Sequence, residues 1–437
     1  RDRSVSRGLG DVYKRQMLDI ARNFTRKADL FRLIDLLASY KINTFHFSDD
    51  EAWRLEIPGL EELTSVGSRR GFTRDESQCL SPNYYGGWDP ADTTATANGY
   101  YTRQDFIDLL KYAAQRHITV IPEIESPGHA RAAIVAMRAR YNKLKDSNMK
   151  KAREYLLSET NDTSKYVSAQ AYTDNIMNVS LPSVYRFMEK VSDEIIAMYR
   201  EAGVPLAAIH IGGDEVPHGS WEGSPSCQQF MKEQGMTHPH QLAEYFLDNV
   251  SAMLAGKGVK VSGWQEVALN HSPELNARIA PRFEGVYCWS TIGSSDVVPY
   301  TVANEGYGVI LCNVNNFYLD LAYTPHKDEP GLNWGGYVDQ FASFNMLPYN
   351  IYCSARTDMA GNPKNLKKAH QGKVALQPQA RPRIKGIQAQ LFAETLGSFE
   401  QAQYYIFPKI FGLVERGWNA TPDWSPTSTD DKEALYE

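Results

Sequence analysis

Asp214 and Glu215 stand side by side in Ala207-Ala-Ile-His-Ile-Gly-Gly-Asp-Glu-Val216, where a short apolar run ends in two glycines and two carboxylic acids. Adjacent acids at the end of a run suited to a sheet interior are costly unless chemistry uses them. Such a pair can transfer protons or hydrogen-bond hydroxyls. Other apolar runs end in the same way. "FHFSDDEAWR" supplies His46, Asp49, Asp50, Trp53 and Arg54, and "PEIESPGHA" supplies Glu123, Glu125 and His129. Later runs are followed by Trp264 and Glu266, by Trp289, by Tyr318 and Asp320, and by Glu394. His210, inside its own apolar run, reads first as a core histidine, and Trp53 and Arg54 read equally well as braces for a loop.

The elements that must position these residues alternate in type. "MLDIARN", "INTFHFS", "ITVIPEIE", "LAAIHIGG", "VKVSGW", "GVYCWS", "YGVILCN" and "IKGIQAQLF" read as strands. Between them lie helical stretches. "RKADLFRLIDLLASYK" puts Leu30, Ile34 and Leu37 on one face, and Thr102 with Asp105 forms a capping-box-like start to "TRQDFIDLLKYAAQRH". "PSVYRFMEKVSDEIIAMYREA" and a stretch around His240–Lys257 read as further helices, while 142–175 reads as a polar surface insertion. Repeated βα units with nearly continuous apolar strands point to an α/β fold with a parallel sheet, and eight of them to a (β/α)8 TIM barrel. An open doubly wound sheet is disfavoured, because no G-x-G-x-x-G follows the first strand. In a barrel all strand ends of one sense share a mouth, which gathers the acids and tryptophans into one pocket.

The formal net charge of −6 over 437 residues argues against non-specific nucleic-acid binding. Cys79, Cys227, Cys288, Cys312 and Cys353 are scattered without a C-x-x-C pair, their odd number cannot form a closed disulfide set, and most read as buried small hydrophobes. No run is long and apolar enough for a transmembrane helix. Residues 1–16 lack the apolar core of a signal peptide. Their end, "DVYKRQ", resembles a translated sequencing-adapter end, so they are expected to lie apart from a catalytic barrel over 17–420, with 421–437 a tail.

Carboxylates that hydrogen-bond hydroxyls, beside aromatic faces that cover a pyranose ring, are suited to carbohydrate recognition. Neighbouring acids on one short segment cannot flank a sugar as an acid and a nucleophile; they can share the work if the substrate supplies the nucleophile. "HIGGDE" resembles the signature of family 20 glycoside hydrolases, the β-N-acetylhexosaminidases. "MLDIARNF", "DDEAWR", "IPEIESPGHARA", "YLD" and "GIQAQLFAE" follow in that family's order over Met17 to Asn419.

The resemblance implies an exo-acting enzyme releasing terminal β-linked GlcNAc or GalNAc from a glycan, with no cofactor, no metal, and a periplasmic or extracellular place. Glu215 would be the general acid and then base, and Asp214 would orient the 2-acetamido group. Trp264, Trp289 and Trp334 would wall the N-acetyl group and ring, and Tyr318 would donate to the acetamido oxygen. Asp49, Asp320 and Glu394 would bind the sugar, and His129 with Glu125 would support the acid, His210 standing behind them. Family members usually carry Arg-Gly before the "LD" strand, where this chain has Lys14-Arg15; "HFSDDE" is shorter than usual, and Phe392 stands where tryptophan is common. The rival readings are a metal-dependent hydrolase using His46, His129, His210 and Asp214, and a carbohydrate-binding homologue without catalysis.

Overall fold

The computed structural model describes residues 13–48, 51–82 and 87–425. All eight expected strands form: β1 (Tyr13–Asp19), β2 (Thr44–Ser48), β3 (Thr119–Pro122), β4 (Ala208–His210), β5 (Lys260–Trp264), β6 (Phe283–Cys288), β7 (Val309–Leu311) and β8 (Ile384–Ala389). They belong to one sheet in the order β3-β2-β1-β8-β7-β6-β5-β4. The pairs β1–β8, β4–β5, β6–β7 and β7–β8 are parallel. A parallel bridge between Glu123 and His210 joins the strands at the two ends of that order, which is the connectivity of the (β/α)8 barrel. The α/β fold expected from the alternation is therefore the fold observed.

Tyr13–Gln16, set apart above with the rest of 1–16, pair with Gly386–Ala389 as the first half of β1. Lys14 packs its ammonium over the Trp418 ring, and Arg15 donates to the Tyr287 hydroxyl at 2.5 Å. These four residues are part of the sheet, because the strand extends outward from the apolar "MLD" in unbroken ladder register. Residues 1–12 and 426–437 lie outside the described residues.

The described chain divides into two compact units, one of 13–18, 33–46 and 285–425, the other of 19–32, 47–48, 51–82 and 87–284. In the second unit, Arg103–Gln115 opens with the capping box: the Thr102 hydroxyl accepts from the Asp105 N–H, and the Asp105 carboxylate accepts from the Thr102 N–H. Pro182–Ala202 starts with its proline at the first helical position, where no N–H is missed, and stops at Gly203 in the left-handed region. Phe47, Phe106 and Tyr199 pack in series there, and the Tyr199 hydroxyl donates to the Val120 carbonyl at 2.9 Å. The insertion over 142–175 is not wholly superficial. Leu157 is fully buried, and Asn175 is buried because its side chain is used inside.

Arg54 braces this unit. Its guanidinium is fully buried and donates to five carbonyls, those of Ile20, Ala21, Ser68, Ala97 and Gly99. The planar fork thereby fixes the strand end after β1 to two turns of the 55–101 loop. Removing it leaves buried carbonyls without donors. Arg54→Met is expected to lower unfolding stability by about 3 kcal/mol or more, measured by urea denaturation.

Candidate active site

The turn after β4 sets the geometry of the acids. Gly212, Gly213 and Glu215 all have positive φ, at 71°, 94° and 50°. At Gly212 a Cβ would stand 1.6 Å from the Glu125 carboxylate, so any side chain there must displace Glu125. Glu215 adopts the left-handed region without glycine's freedom, at a cost of about 1–2 kcal/mol that its surroundings must offset. The result is that consecutive carboxylates address one imidazole. His129 Nε2 lies 3.2 Å from Glu215 Oε2 and 3.8 Å from Asp214 Oδ2.

His129 is itself gripped from behind, its Nδ1 lying 3.2 Å from Glu51 Oε1. Glu51 is buried and receives the Asn175 side-chain N–H at 2.9 Å and the Arg131 backbone N–H at 3.3 Å. The ring can donate to both acids when it carries two protons. With one, an acid must supply the other hydrogen. Either way Glu51, His129 and Glu215 form a line along which a proton and its charge can be held.

The expectation that Glu125 pairs with His129 is corrected by this arrangement: the acid on His129's far side is Glu51. Glu125 instead accepts the Trp264 indole N–H at 3.0 Å. Trp264 is also held edge-to-face by His210, with ring centroids 5.0 Å apart. His210 and Glu123 are both fully buried, with Nδ1 and Oε1 2.6 Å apart, so His210 is a core histidine that fixes the indole. The sequence reading missed Glu51 although it stands inside "DDEAWR", and missed Asn175 inside the insertion. The one signal was a third acid beside Asp49 and Asp50, both of which lie outside the described residues.

The other unit brings together a second set. Tyr318 is buried against Phe392 and Trp334, with centroids 5.4 and 5.6 Å away, and Trp289 meets Trp334 edge-on at 6.1 Å. Trp334 is 47% exposed, so it presents a free aromatic face to solvent. Asp320 is buried and accepts the Phe392 backbone N–H at 3.1 Å. Burial, reinforced by the charge of Glu394, pushes its carboxyl up to about 8. Burial brings Lys409 down to about 7, while its ammonium donates to the Leu319 and Leu321 carbonyls at 2.8 and 2.7 Å. His46, counted among possible metal ligands, is fully buried with Nδ1 3.2 Å from the Gln388 side-chain nitrogen.

Two outcomes test this geometry. A raised folded-state acid binds a proton that the unfolded chain has released. Asp320 therefore contributes stability fully below the unfolded value near 4, and loses it as pH rises toward about 8. The stability of the wild type relative to Asp320→Asn is expected to fall across that window by up to about 1.4 kcal/mol per pH unit, read by urea denaturation at stepped pH. Gly212→Ala is expected to lose about 1–3 kcal/mol and to shift tryptophan emission as Glu125 moves off Trp264.

A β-hexosaminidase of Vibrio vulnificus is 35% identical over 419 residues, covering 93% of this chain and 48% of that protein. The N,N'-diacetylchitobiase of Vibrio harveyi is 35% identical, covering 94% of this chain and 49% of its own length. The chain thus spans about half the length of these relatives. The crystal structure of a GH20 exo-β-N-acetylglucosaminidase from Vibrio harveyi, in complex with N-acetylglucosamine, matches with a TM-score of 0.73 at 32% identity, over 97% of this chain and 56% of that one. The profile described as glycosyl hydrolase family 20, catalytic domain, matches residues 12–421, and the chain belongs to that family.

Proposed function

We propose that this chain is an exo-acting β-N-acetylhexosaminidase that hydrolyses terminal, non-reducing β-linked N-acetylhexosamine by substrate-assisted, retaining catalysis. The observation that carries the reading is the pair Asp214 and Glu215 turned onto one buried imidazole in a chain of family 20. Glu215 gives its proton to the leaving glycosidic oxygen as the bond to the anomeric carbon breaks. The carbonyl oxygen of the sugar's own 2-acetamido group attacks that carbon, and Asp214 orients the acetamido N–H and balances its developing positive charge. An oxazolinium ion forms within the substrate. Glu215 then takes a proton from water, which opens the ring with net retention; the family is a known exception to the two-carboxylate scheme. His129, backed by Glu51, holds Glu215 in place and supplies its charge balance.

The remaining roles follow from the family resemblance. Trp264, Trp289 and Trp334 wall the N-acetyl group and ring, Tyr318 donates to the acetamido oxygen, and Asp49, Asp320 and Glu394 take sugar hydroxyls. The substrate is then a glycan or oligosaccharide ending in β-linked GlcNAc or GalNAc, as the N-acetylglucosamine complex of the Vibrio harveyi enzyme supports. A periplasmic or extracellular place suits such a substrate. No helix among the described residues is long and apolar enough to cross a membrane.

Kinetics on nitrophenyl β-GlcNAc and on chitobiose test the reading. Glu215→Gln is expected to lose about 10²–10⁴-fold in kcat on chitobiose, and less on the activated aryl glycoside, whose leaving group needs little proton donation. Asp214→Asn is expected to lower kcat far more than it raises KM, because the acetamido attack occurs only on the way to the transition state. Full turnover of chitobiose by Glu215→Gln would overturn the assignment.

A further inference from the structure

We propose that His240, Glu244 and His271 form a binding site for one divalent transition-metal ion of the Zn²⁺ class. His240 opens the helix His240–Gly256, and residues four apart on a helix share a face, so Glu244 stands beside it. His240 Nε2 and Glu244 Oε1 are 3.8 Å apart. His271 arrives from the loop that follows β5 and the short 3-10 turn Gln265–Ala268, and its ring centroid lies 6.0 Å from that of His240. One ligand atom from each of the three residues lies within 4.8 Å of the others. Tetrahedral ligands about 2.0–2.2 Å from zinc are separated by about 3.3 Å, a closure that side-chain rotation alone can supply.

A second observation points the same way. His240 Nε2 and His271 Nδ1 are both shut off from water and make no hydrogen bond of good geometry, although the His271 ring also meets the Asn276 side chain. A buried nitrogen left unsatisfied costs free energy, and one cation between the rings satisfies both. Two imidazoles and one carboxylate suit Zn²⁺, Co²⁺ or Ni²⁺ rather than Mg²⁺ or Ca²⁺, which seek all-oxygen shells. Three protein ligands leave a fourth position for water. The helix start lies at the end of the segment that leads away from Asp214 and Glu215, and His271 follows the turn after Trp264. The ion would tie the start of the helix His240–Gly256 to the loop that follows β5, a structural duty separate from the glycosidase reading.

The test uses the untagged chain, stripped with EDTA and titrated with Co²⁺ and Zn²⁺. The wild type is expected to bind one equivalent, to give a visible Co²⁺ absorption band, and to gain several degrees in Tm with Zn²⁺. His240→Ala/Glu244→Gln, at a half-buried helix start, is expected to keep its circular dichroism and lose both the band and the Tm response. His271→Asn alone should weaken Zn²⁺ binding by at least about tenfold. Glu215→Gln should leave the binding intact, although His129, Asp214 and Glu215 also place ligand atoms within 4.8 Å of one another. Absence of a stoichiometric site in the wild type overturns the proposal. So does a site abolished by Glu215→Gln and retained in His240→Ala/Glu244→Gln.

Discussion

The unit that carries Asp214 and Glu215 depends on one imidazole held between acids. His129 meets Glu51 on one nitrogen and Glu215 on the other, with Asp214 close by. Two consecutive residues can face the same ring only if the chain between strand and loop turns through the left-handed region. That requirement fixes Gly212 and Gly213 and forces Glu215 into a conformation that a side-chain-bearing residue adopts at a cost. The remaining parts of the unit serve to offset that cost. Arg54 ties the neighbouring loops by their carbonyls, Asn175 and the Arg131 N–H hold Glu51, and Glu125 occupies the space that the absent Gly212 side chain leaves.

The other unit solves a different problem, which is how to keep polar groups inside a sheet. Arg15, Gln16, His46, Gln388 and Gln390 are all buried. Arg15 reaches the Tyr287 hydroxyl, and Gln388 donates to Gln390 at 3.1 Å as well as meeting His46. Apolar residues of the same volume would cost less, since each buried polar atom must find a partner. Asp320 and Lys409 pay the same desolvation penalty from opposite sides, each shifted toward its neutral form by burial.

Much of this was legible along the chain. The eight strands, the capped helix at Thr102 and the helix beginning at Pro182 are local patterns, and local patterns survive folding when they agree with the tertiary structure. The family could be identified from "HIGGDE" and the motifs around it, because chemistry at a strand end needs particular residue types at fixed spacing. Cys79, Cys227, Cys288, Cys312 and Cys353 are buried and form no disulfide, in keeping with their scattered spacing.

What the sequence determined by itself was therefore the alternation of elements, the fold class and the adjacency of Asp214 and Glu215 at a strand end. Only the tertiary structure decided which groups stand behind that pair. Glu51 and His129 are 78 residues apart, and Glu125 and Trp264 are 139 apart. No periodicity relates such positions, because they sit on different loops and strand ends whose approach is set by the packing of the strands beneath them. The same reason separates Glu51 from Glu125 as the support of His129, and places Tyr13–Gln16 in the first strand. It also brings His271 to His240 and Glu244, a meeting that the spacing on one helix could only half announce.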